Sequence, residues 1–335
     1  MDVLLPPIWF LLLSLTAVLF IMLDGADLGI GFLSLAASES RRTAMLEAIG
    51  PLWYANETWL VIAGAILFGA FPLAYGVILS SMYIPVMMIL FGLMFRAVSI
   101  EFRSHSVQKS FWGYSVGAGS LLAILGQGFL LGGLLTNLSV KDGAFAGGPW
   151  DWLSGLSLVI TLGVLAGYCM LGSAYLVTRT GGETQARSWL LLRVCALCAL
   201  TMFAVITILM PVVPTPIYHM WVQSPRIYSV PFFLLAGMLS FIMLISVSSS
   251  QKNARATYSW AIIAALSAVG ELIAAIFPYF IPFSVSIYDA ASSTTSLVFM
   301  LYGVGVVLPI IIVYNVYVRR VFGVRKDSSA EAEKY

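Results

Sequence analysis

The stretch Asp24-Gly25-Ala26-Asp27-Leu28-Gly29-Ile30-Gly31 decides the fold class, because it sets two carboxylates inside an apolar run over residues 8–34. About 20 apolar residues suffice to cross a bilayer. A carboxylate near the bilayer centre costs at least about 2.5 kcal/mol on insertion scales, so such residues usually face the interior of a helix bundle. The run therefore predicts a first transmembrane helix whose two acids face other helices.

Two faces of this predicted helix differ in their residues. Asp24, Asp27 and Gly31 share one face by their i, i+3, i+7 spacing. Gly25 and Gly29 are four residues apart and mark a second face, on which a neighbouring helix can approach closely. We expect a functional role for the acids and a packing role for the glycines.

The composition indicates a membrane protein along the whole chain. Of the 335 residues, 60% are apolar and 10% are charged, with a mean hydropathy of +0.97, whereas soluble domains carry about 25% charged residues. The net charge of +2 provides no broad basic surface, so no nucleic-acid partner is expected. The residues before position 8 contain no Lys or Arg, so a retained helix is expected rather than a signal peptide.

Apolar segments long enough to cross a membrane recur from one end of the chain to the other. They predict an all-α polytopic protein, with a single transmembrane domain over residues 1–320 and a polar cytoplasmic tail over residues 321–335. Nine transmembrane helices are expected, over residues 8–34, 57–78, 80–97, 115–137, 153–177, 189–210, 229–249, 257–277 and 296–318.

The positions of Lys and Arg predict the orientation of the chain. The N-terminus and the even-numbered loops carry two of these residues, Lys141 and Arg226. The odd-numbered loops, the residue Arg193 beside one of them and the C-terminal tail carry the other fifteen. Because cytoplasmic loops are enriched in positive residues, we expect the N-terminus outside and the C-terminus in the cytoplasm.

This orientation brings several charged residues to one level of the membrane. Asp24 lies about 25 Å along the first helix from Pro7, in the cytoplasmic third. Glu57 begins the second predicted helix on that side, and Arg96 and Glu101 end the third helix there. The sequence therefore predicts a polar cluster at the cytoplasmic side: Asp24, Asp27, Glu57, Arg96 and Glu101.

Two interpretations of this cluster stay open. Each carboxyl can hold a proton and pass it along a hydrogen-bonded chain, which suits proton uptake from the cytoplasm. Alternatively, Arg96 neutralises an acid in an ion pair that only holds helix ends together. Glu271 is separate, because its helix starts inside and places it mid-membrane or further out.

Two other motifs have a structural interpretation. In the stretch Trp53–Trp59, Asn56 is a suitable N-cap and Glu57 in the first turn favours the helix dipole. Trp53 and Trp59 suit anchors at the membrane interface. Before the last helix, Asp289 is followed by small residues, which predicts a helix start with Asp289 or a serine as the cap.

No catalytic residue, haem ligand or metal site is expected in this chain. His105 and His219 both fall in predicted loops, whereas a membrane haem usually takes its axial ligands from helices. The cysteines lie in apolar runs without zinc-like spacing, and Cys195 and Cys198 are interpreted as packing residues.

Five motifs follow one another along the chain. Three are Asp24-Gly-Ala-Asp27-Leu-Gly-Ile-Gly31, Trp53-x-x-Asn56-Glu57-x-Trp59-Leu60 and Phe95-Arg96-Ala-Val-Ser-Ile-Glu101-Phe-Arg103. The others are residues 167–175 with 178–185, and Asp289-Ala-Ala-Ser-Ser293 with Ser296-Leu297. Together, and in collinear order, they resemble subunit II of cytochrome bd-type quinol oxidases. The compact length is similar to that of the short, cyanide-insensitive branch.

The resemblance implies two four-helix bundles plus a peripheral helix, in the bacterial plasma (inner) membrane. It implies a partner, subunit I, which carries haems b and d and the quinol site and reduces oxygen to water in a terminal respiratory oxidase. This chain would be the non-haem subunit that supports subunit I and offers a cytoplasmic proton-uptake route. The resemblance also allows small single-helix subunits, membrane lipid, and a bound quinone or lipid.

One position departs from the family pattern. Many relatives have an acid directly after the first tryptophan of the second motif, where this chain has Tyr54 followed by Ala55. A tyrosine relays a proton only through its hydroxyl. Glu57 or the Asp24 and Asp27 pair is therefore expected to take that role.

The alternative function is a proton-coupled secondary transporter, which also uses acids inside a helix bundle. Transporters usually show repeated broken helices in both halves of the chain. Here the acids lie in the first three predicted helices, without a second copy of that segment.

Overall fold

The computed structural model describes residues 3–50, 53–136, 138–210, 212, 226–282 and 284–322, except for the side chains of residues 226–228 and 319–322. His219, most of the predicted sixth loop and residues 323–335 of the predicted tail therefore lie outside the described residues.

Long apolar helices make up most of the described chain. Eight of them are long and apolar enough to cross a membrane. They are α1 Leu5–Ser34, α5 Tyr83–His105, α6 Lys109–Leu134, α7 Gly155–Arg179, α8 Gly182–Leu209, α9 Arg226–Ser250, α10 Ala254–Ile276 and α12 Thr294–Phe322. The other helices are α2 Glu39–Ile49, α3 Trp53–Ala70, α4 Pro72–Ser81 and α11 Ile287–Ala290.

The second predicted helix, over residues 57–78, is not one straight helix. It is divided into α3 and α4, which meet at an angle of 119°. Phe71 lies between them with φ −135° and ψ 61°, because a residue before proline is driven out of the helical region and Pro72 has no N–H to continue the helix. The Ala70 carbonyl accepts a hydrogen bond from the Ser292 N–H at 2.8 Å instead. Counting this bent pair as one span brings the described total to nine.

Helix α2 has no counterpart among the predicted helices. Its buried residues Arg42, Met45, Leu46 and Ile49 recur at helical spacing on one face. The helix ends at Gly50, whose φ of +58° with ψ of −154° is a backbone conformation essentially confined to glycine. Hydropathy did not detect this segment because it is short and half polar.

Two short hairpins and α11 lie between long helices. Strand β1 Val140–Lys141 pairs with β2 Ala144–Phe145, and β3 Tyr279–Ile281 pairs with β4 Val285–Ser286. They pack in one apolar core with the first turns of α1. In that core Trp9 is fully buried, and its indole N–H donates to the Leu297 carbonyl at 3.3 Å.

Glycines on α1 permit close contact with α7 and α6. A Cβ at Gly25 would lie 2.6 Å from the Tyr168 ring, and a Cβ at Gly29 would overlap the Tyr168 carbonyl. Gly31 faces Ser120 of α6 in the same way. The prediction that Gly25 and Gly29 mark a packing face is therefore confirmed. Further along both helices, Gly172 of α7 lies against Ala26 and Ile30 of α1. Because contacts later in α1 pair with contacts later in α7, the two helices run in the same direction.

Candidate functional site

The centre of the site is a guanidinium shared by two carboxylates. Nη2 of Arg96 on α5 donates to Oδ1 of Asp24 on α1 at 2.7 Å and to Oε1 of Glu57 on α3 at 2.5 Å. The side chains of Arg96 and Asp24 are fully buried, while that of Glu57 is 24% exposed. The charged group thus reaches from a partly accessible carboxyl to one enclosed by helices.

Close helix packing fixes the position of Arg96. A Cβ at Gly119 of α6 would lie 2.7 Å from the Arg96 backbone nitrogen, and a Cβ at Gly92 would overlap the backbone of Ala123. Helices α5 and α6 are therefore in backbone contact beside Arg96. Its side chain extends away from that contact, toward the acids on α1 and α3.

A second polar link between α1 and α3 lies one turn further along. Nδ2 of Asn56 donates to Oδ2 of Asp27 at 2.7 Å and to the Leu23 carbonyl at 3.3 Å. Helix α3 is already helical at Trp53, so the interpretation of Asn56 as an N-cap is wrong. Its amide instead holds the buried Asp27 carboxylate.

Glu101 does not join the cluster. It is exposed on α5, and no ion pair involves it in the described part of the chain. The structure therefore brings together Asp24, Glu57 and Arg96, places Asp27 beside them through Asn56, and leaves Glu101 outside.

The tryptophans of the second motif are buried by protein. Trp53 is 6% exposed and stacks on Tyr54 with 3.6 Å between ring centroids. Trp59 is 2% exposed. Both act as core residues, which differs from the predicted membrane-interface anchors. Tyr54 is 57% exposed at the start of α3.

A buried Tyr–Gln pair lies next to the cluster and was missed in the sequence. The Tyr168 hydroxyl donates to Oε1 of Gln127 at 2.5 Å, and both side chains are buried. A glutamine in the middle of an apolar helix is the pattern that could have revealed it. Among the described residues, Nε2 of Gln127, Oδ2 of Asp24, and Nε and Nη1 of Arg96 have no hydrogen-bond partner.

A second ionic group lies where α2 meets α5 and α6. Arg42 donates to Glu39 at 2.7 Å and to the Ser34 carbonyl at 3.1 Å, and lies 3.9 Å above the Tyr114 ring. Arg103 donates to the other Glu39 oxygen at 2.9 Å. Slight burial opposes ionisation, but the hydrogen bond from Arg103 and the charges of both arginines hold the pKa of Glu39 below its ordinary value.

The predicted helix start before the last helix is present with a serine as its cap, because the Ser293 hydroxyl accepts a hydrogen bond from the Ser296 N–H at 3.4 Å at the start of α12. Asp289 belongs to the short helix before it. Ser286 is the N-cap of α11, and Asp289 is its third residue. The Asp289 carboxylate accepts from the Ser286 N–H at 3.3 Å and hydroxyl at 2.5 Å, while the Asp289 N–H donates back at 3.2 Å. Asp289 therefore completes a capping box.

No group of three or more His, Cys, Asp or Glu residues is placed to hold a metal ion in the described part of the chain. His105 is the last residue of α5 rather than a loop residue, and it is exposed. Cys169, Cys195 and Cys198 are free thiols.

Comparisons with known proteins agree on one family. The profile described as cytochrome bd terminal oxidase subunit II matches residues 5–322. Cytochrome bd-I ubiquinol oxidase subunit 2 of Escherichia coli K12 is 25% identical over 354 aligned positions, covering 92% of each chain. Cytochrome bd ubiquinol oxidase subunit 2 of Bacillus subtilis is 38% identical over 149 positions, covering 43% of this chain and 41% of that protein.

A solved structure has the same fold. One chain of the bd oxidase from Geobacillus thermodenitrificans superposes with a TM-score of 0.72 at 18% identity, covering 95% of this chain and 98% of that one. The relatives are bacterial, and the apolar helices require a membrane. The chain is therefore a multi-pass protein of the bacterial inner membrane that belongs to the cytochrome bd terminal oxidase subunit II family.

Proposed function

We propose that this chain is the non-haem subunit of a quinol:oxygen oxidoreductase, and that Glu57, Arg96 and Asp24 form the start of a cytoplasmic proton-uptake route. Family membership supports the first part. The single observation that carries the second is the guanidinium of Arg96 between a partly exposed and a fully buried carboxyl.

The charge balance of the cluster favours proton binding. Asp24 and Glu57, the two carboxyls that contact Arg96, carry two negative charges when ionised against its one positive charge, and the nearby Asp27 adds a third. A net charge inside a low-dielectric bundle is costly, and one proton shared by Asp24 and Glu57 reduces it. Because Glu57 is 24% exposed, it is the carboxyl that water reaches, and Asp24 is the inner acceptor.

The orientation belongs to the same proposal. The fifteen-to-two distribution of Lys and Arg supports a cytoplasmic position for the end of α1 that leads into α2. Nine spans are proposed, with α3 and α4 as one bent span, in two four-helix bundles and a peripheral helix. The candidate for the peripheral helix is α12, because only 6% of the residues in its apolar 18-residue stretch are buried by the rest of the described chain. Residues 321–335 would form the polar cytoplasmic tail.

The proposed partner is a haem-bearing subunit I with haems b and d and the quinol site. Small single-helix subunits, lipid or a bound quinone would join the same complex, and the compact length suggests the cyanide-insensitive branch. No finding favours the transporter alternative. The break between α3 and α4 is flanked by the apolar residues Ala70 and Phe71 and lies away from the acids.

Purification tests the assembly. The tagged chain, extracted in mild detergent from its native host, is expected to bring down a second polytopic chain with haem b and d bands in the reduced spectrum. A matched preparation from cells that lack the tag controls for contaminating oxidases. A colourless chain that purifies alone would contradict the proposal.

A further inference from the structure

The Tyr168–Gln127 pair lies beside the inner end of the acid cluster. The Tyr168 ring packs against Gly25, the residue next to Asp24. Its hydroxyl donates to Oε1 of Gln127 at 2.5 Å, and the two residues are 4% and 6% exposed. A buried hydroxyl and amide therefore extend the polar groups of the cluster from α1 to α6 and α7.

Unsatisfied polar atoms occur on both sides of this junction. Oδ2 of Asp24 is an acceptor and Nε2 of Gln127 is a donor, and neither has a hydrogen-bond partner among the described residues. Leaving a buried polar atom unpaired costs about 1–3 kcal/mol. Internal water molecules usually satisfy such groups, so the junction is suited to water.

Beyond Tyr168 lies a cavity of about 120 Å³ between α7, α8 and α10. Tyr168 and Glu271 both line it, together with apolar side chains such as Leu272 and Phe203. Glu271 is 5% exposed, and its Oε1 accepts a hydrogen bond from the Thr207 hydroxyl at 3.0 Å. By volume the cavity has room for a few water molecules, and the polar side chains that line it and can hold them are Tyr168 and Glu271.

Asp24 and Glu271 lie toward opposite ends of the bundle. Tyr168 is 11 residues (179 − 168) before the end of α7, near the level of Asp24. Glu271 is five residues (276 − 271) before the end of α10, at the end where α10 leads into β3. In the proposed orientation this is the outer side, so the cavity leads outward from Tyr168 to Glu271.

We propose that Tyr168, positioned by Gln127, relays protons from the Asp24 end of the cluster through water in this cavity to the carboxyl of Glu271. The inference rests on the proposed proton-uptake function and extends it to a further carboxyl. A water between Asp24 and Tyr168 takes a proton from the Asp24 carboxyl and gives one of its own to a lone pair of the Tyr168 oxygen. The original O–H proton, which is hydrogen-bonded to Oε1 of Gln127, turns away from Gln127 and leaves to a water on the cavity side. That water then transfers a proton to the Glu271 carboxylate. Each transfer forms one bond to hydrogen and breaks one, and no electrons are exchanged between the groups.

Infrared difference spectra of the purified oxidase complex test this relay. On reduction and reoxidation, a carboxyl C=O band is expected that disappears in Glu271→Gln and returns, shifted, in Glu271→Asp. After transfer to D2O, the deuterium shift of this band is expected to develop about tenfold more slowly in Tyr168→Phe, because the hydroxyl is the exchanging link. Gln127→Leu is expected to slow it in the same direction.

Tyr175→Phe is the matched control, since Tyr175 is a buried tyrosine of the same helix that does not line the cavity. The relay would be overturned if the deuterium shift of the carboxyl band developed at the unmodified rate in both Tyr168→Phe and Gln127→Leu while the haem bands stayed intact. So would a spectrum in which Glu271→Gln removes no carboxyl band. If Glu57→Gln still slows proton uptake in that case, the relay alone is wrong. If Glu57→Gln has no effect either, the proposed uptake function is wrong as well.

Discussion

Arg96 and Asp24 form an ion pair of 2.7 Å between α5 and α1, with both side chains fully excluded from solvent. Breaking a buried pair by removing one partner leaves a charge without compensation, which typically costs about 3–5 kcal/mol. Arg96→Leu is therefore expected to destabilise the complex strongly, because two acids then face each other. The double variant Asp24→Asn/Arg96→Leu should be less destabilised than Arg96→Leu alone.

The measurement is the thermal midpoint at which the purified complex loses its haem spectrum. Arg187→Leu is the control, because Arg187 is exposed at the start of α8. If Arg96→Leu and Arg187→Leu shift the midpoint equally, the buried pair does not hold the subunit together.

The exposure of Glu57 leads to a prediction about proton uptake. Glu57→Gln keeps a hydrogen-bonding side chain near Arg96 but removes the carboxyl that water reaches. We expect oxygen reduction by the complex to slow about tenfold or more while the haem spectrum stays normal. Charge movement and oxygen consumption in proteoliposomes measure this.

Glu101→Gln is the matched control for Glu57→Gln, since Glu101 lies on α5 near the same end of the bundle but is exposed. Full turnover in Glu57→Gln would mean that the cluster is structural. Loss of the haems in Glu57→Gln would assign the cluster to assembly.

The link between Asp27 and Asn56 predicts a different effect. Asp27→Asn replaces an ionisable group by an amide that can still bond to Asn56, so the contact between α1 and α3 is largely kept. If Asp27 holds protons, turnover should fall while the thermal midpoint changes little. Asn56→Leu removes the amide that donates to Asp27 at 2.7 Å. It should instead lower the midpoint, because the loss of a buried hydrogen bond to a charged group reduces the free energy of unfolding by about 1.5–3 kcal/mol. Equal effects of the two variants on turnover and midpoint would contradict this distinction.

The sequence could predict that these charged residues share one level along their helices. It could not predict which of their side chains face the interior of the bundle. Helix lengths and the Lys and Arg distribution bring Asp24, Glu57, Arg96 and Glu101 to one level. At about 100° per residue, however, Glu101 lies about 140° around α5 from Arg96. The contacts of α5 with α1 and α6 decide which of these two residues faces inward, and those contacts are not visible in composition.

Local breaks were also hidden by average hydropathy. The proline that ends α3 is plain in the sequence, yet residues 57–78 are apolar on both sides of Pro72, so the run looks continuous. Helix α2 has the opposite problem, because its charged residues hide a buried face. Asn56 was misassigned for a related reason: the helix begins earlier than the apolar pattern does, and its amide bonds to Asp27 on another helix.

The contact between Gly29 and Tyr168 gives a packing prediction. A Cβ at Gly29 would overlap the backbone carbonyl of Tyr168, and backbone cannot move aside as a side chain can. Gly29→Ala is therefore expected to destabilise the subunit by at least about 1–3 kcal/mol and to reduce the yield of complex. Gly64→Ala is the control, because no atom lies within 4 Å of a Cβ at Gly64. Equal yields of the two variants would show that α1 and α7 are not held in this contact.

The pairing of Glu39 with Arg42 and Arg103 predicts how stability depends on pH. The pKa of Glu39 is lower in the folded protein than the ordinary value of 4.5. The ionised side chain therefore stabilises the fold above pH 4.5, and this contribution is lost as the pH falls from there through the lowered pKa. Because Glu39 is 45% exposed, the effect is small.

Thermal midpoints of the complex between pH 3 and pH 7 should fall less steeply with acid in Glu39→Gln than in the unmodified protein. Glu47→Gln, on the exposed face of the same helix, should leave the pH profile unchanged, and parallel profiles for all three proteins would exclude a contribution of Glu39.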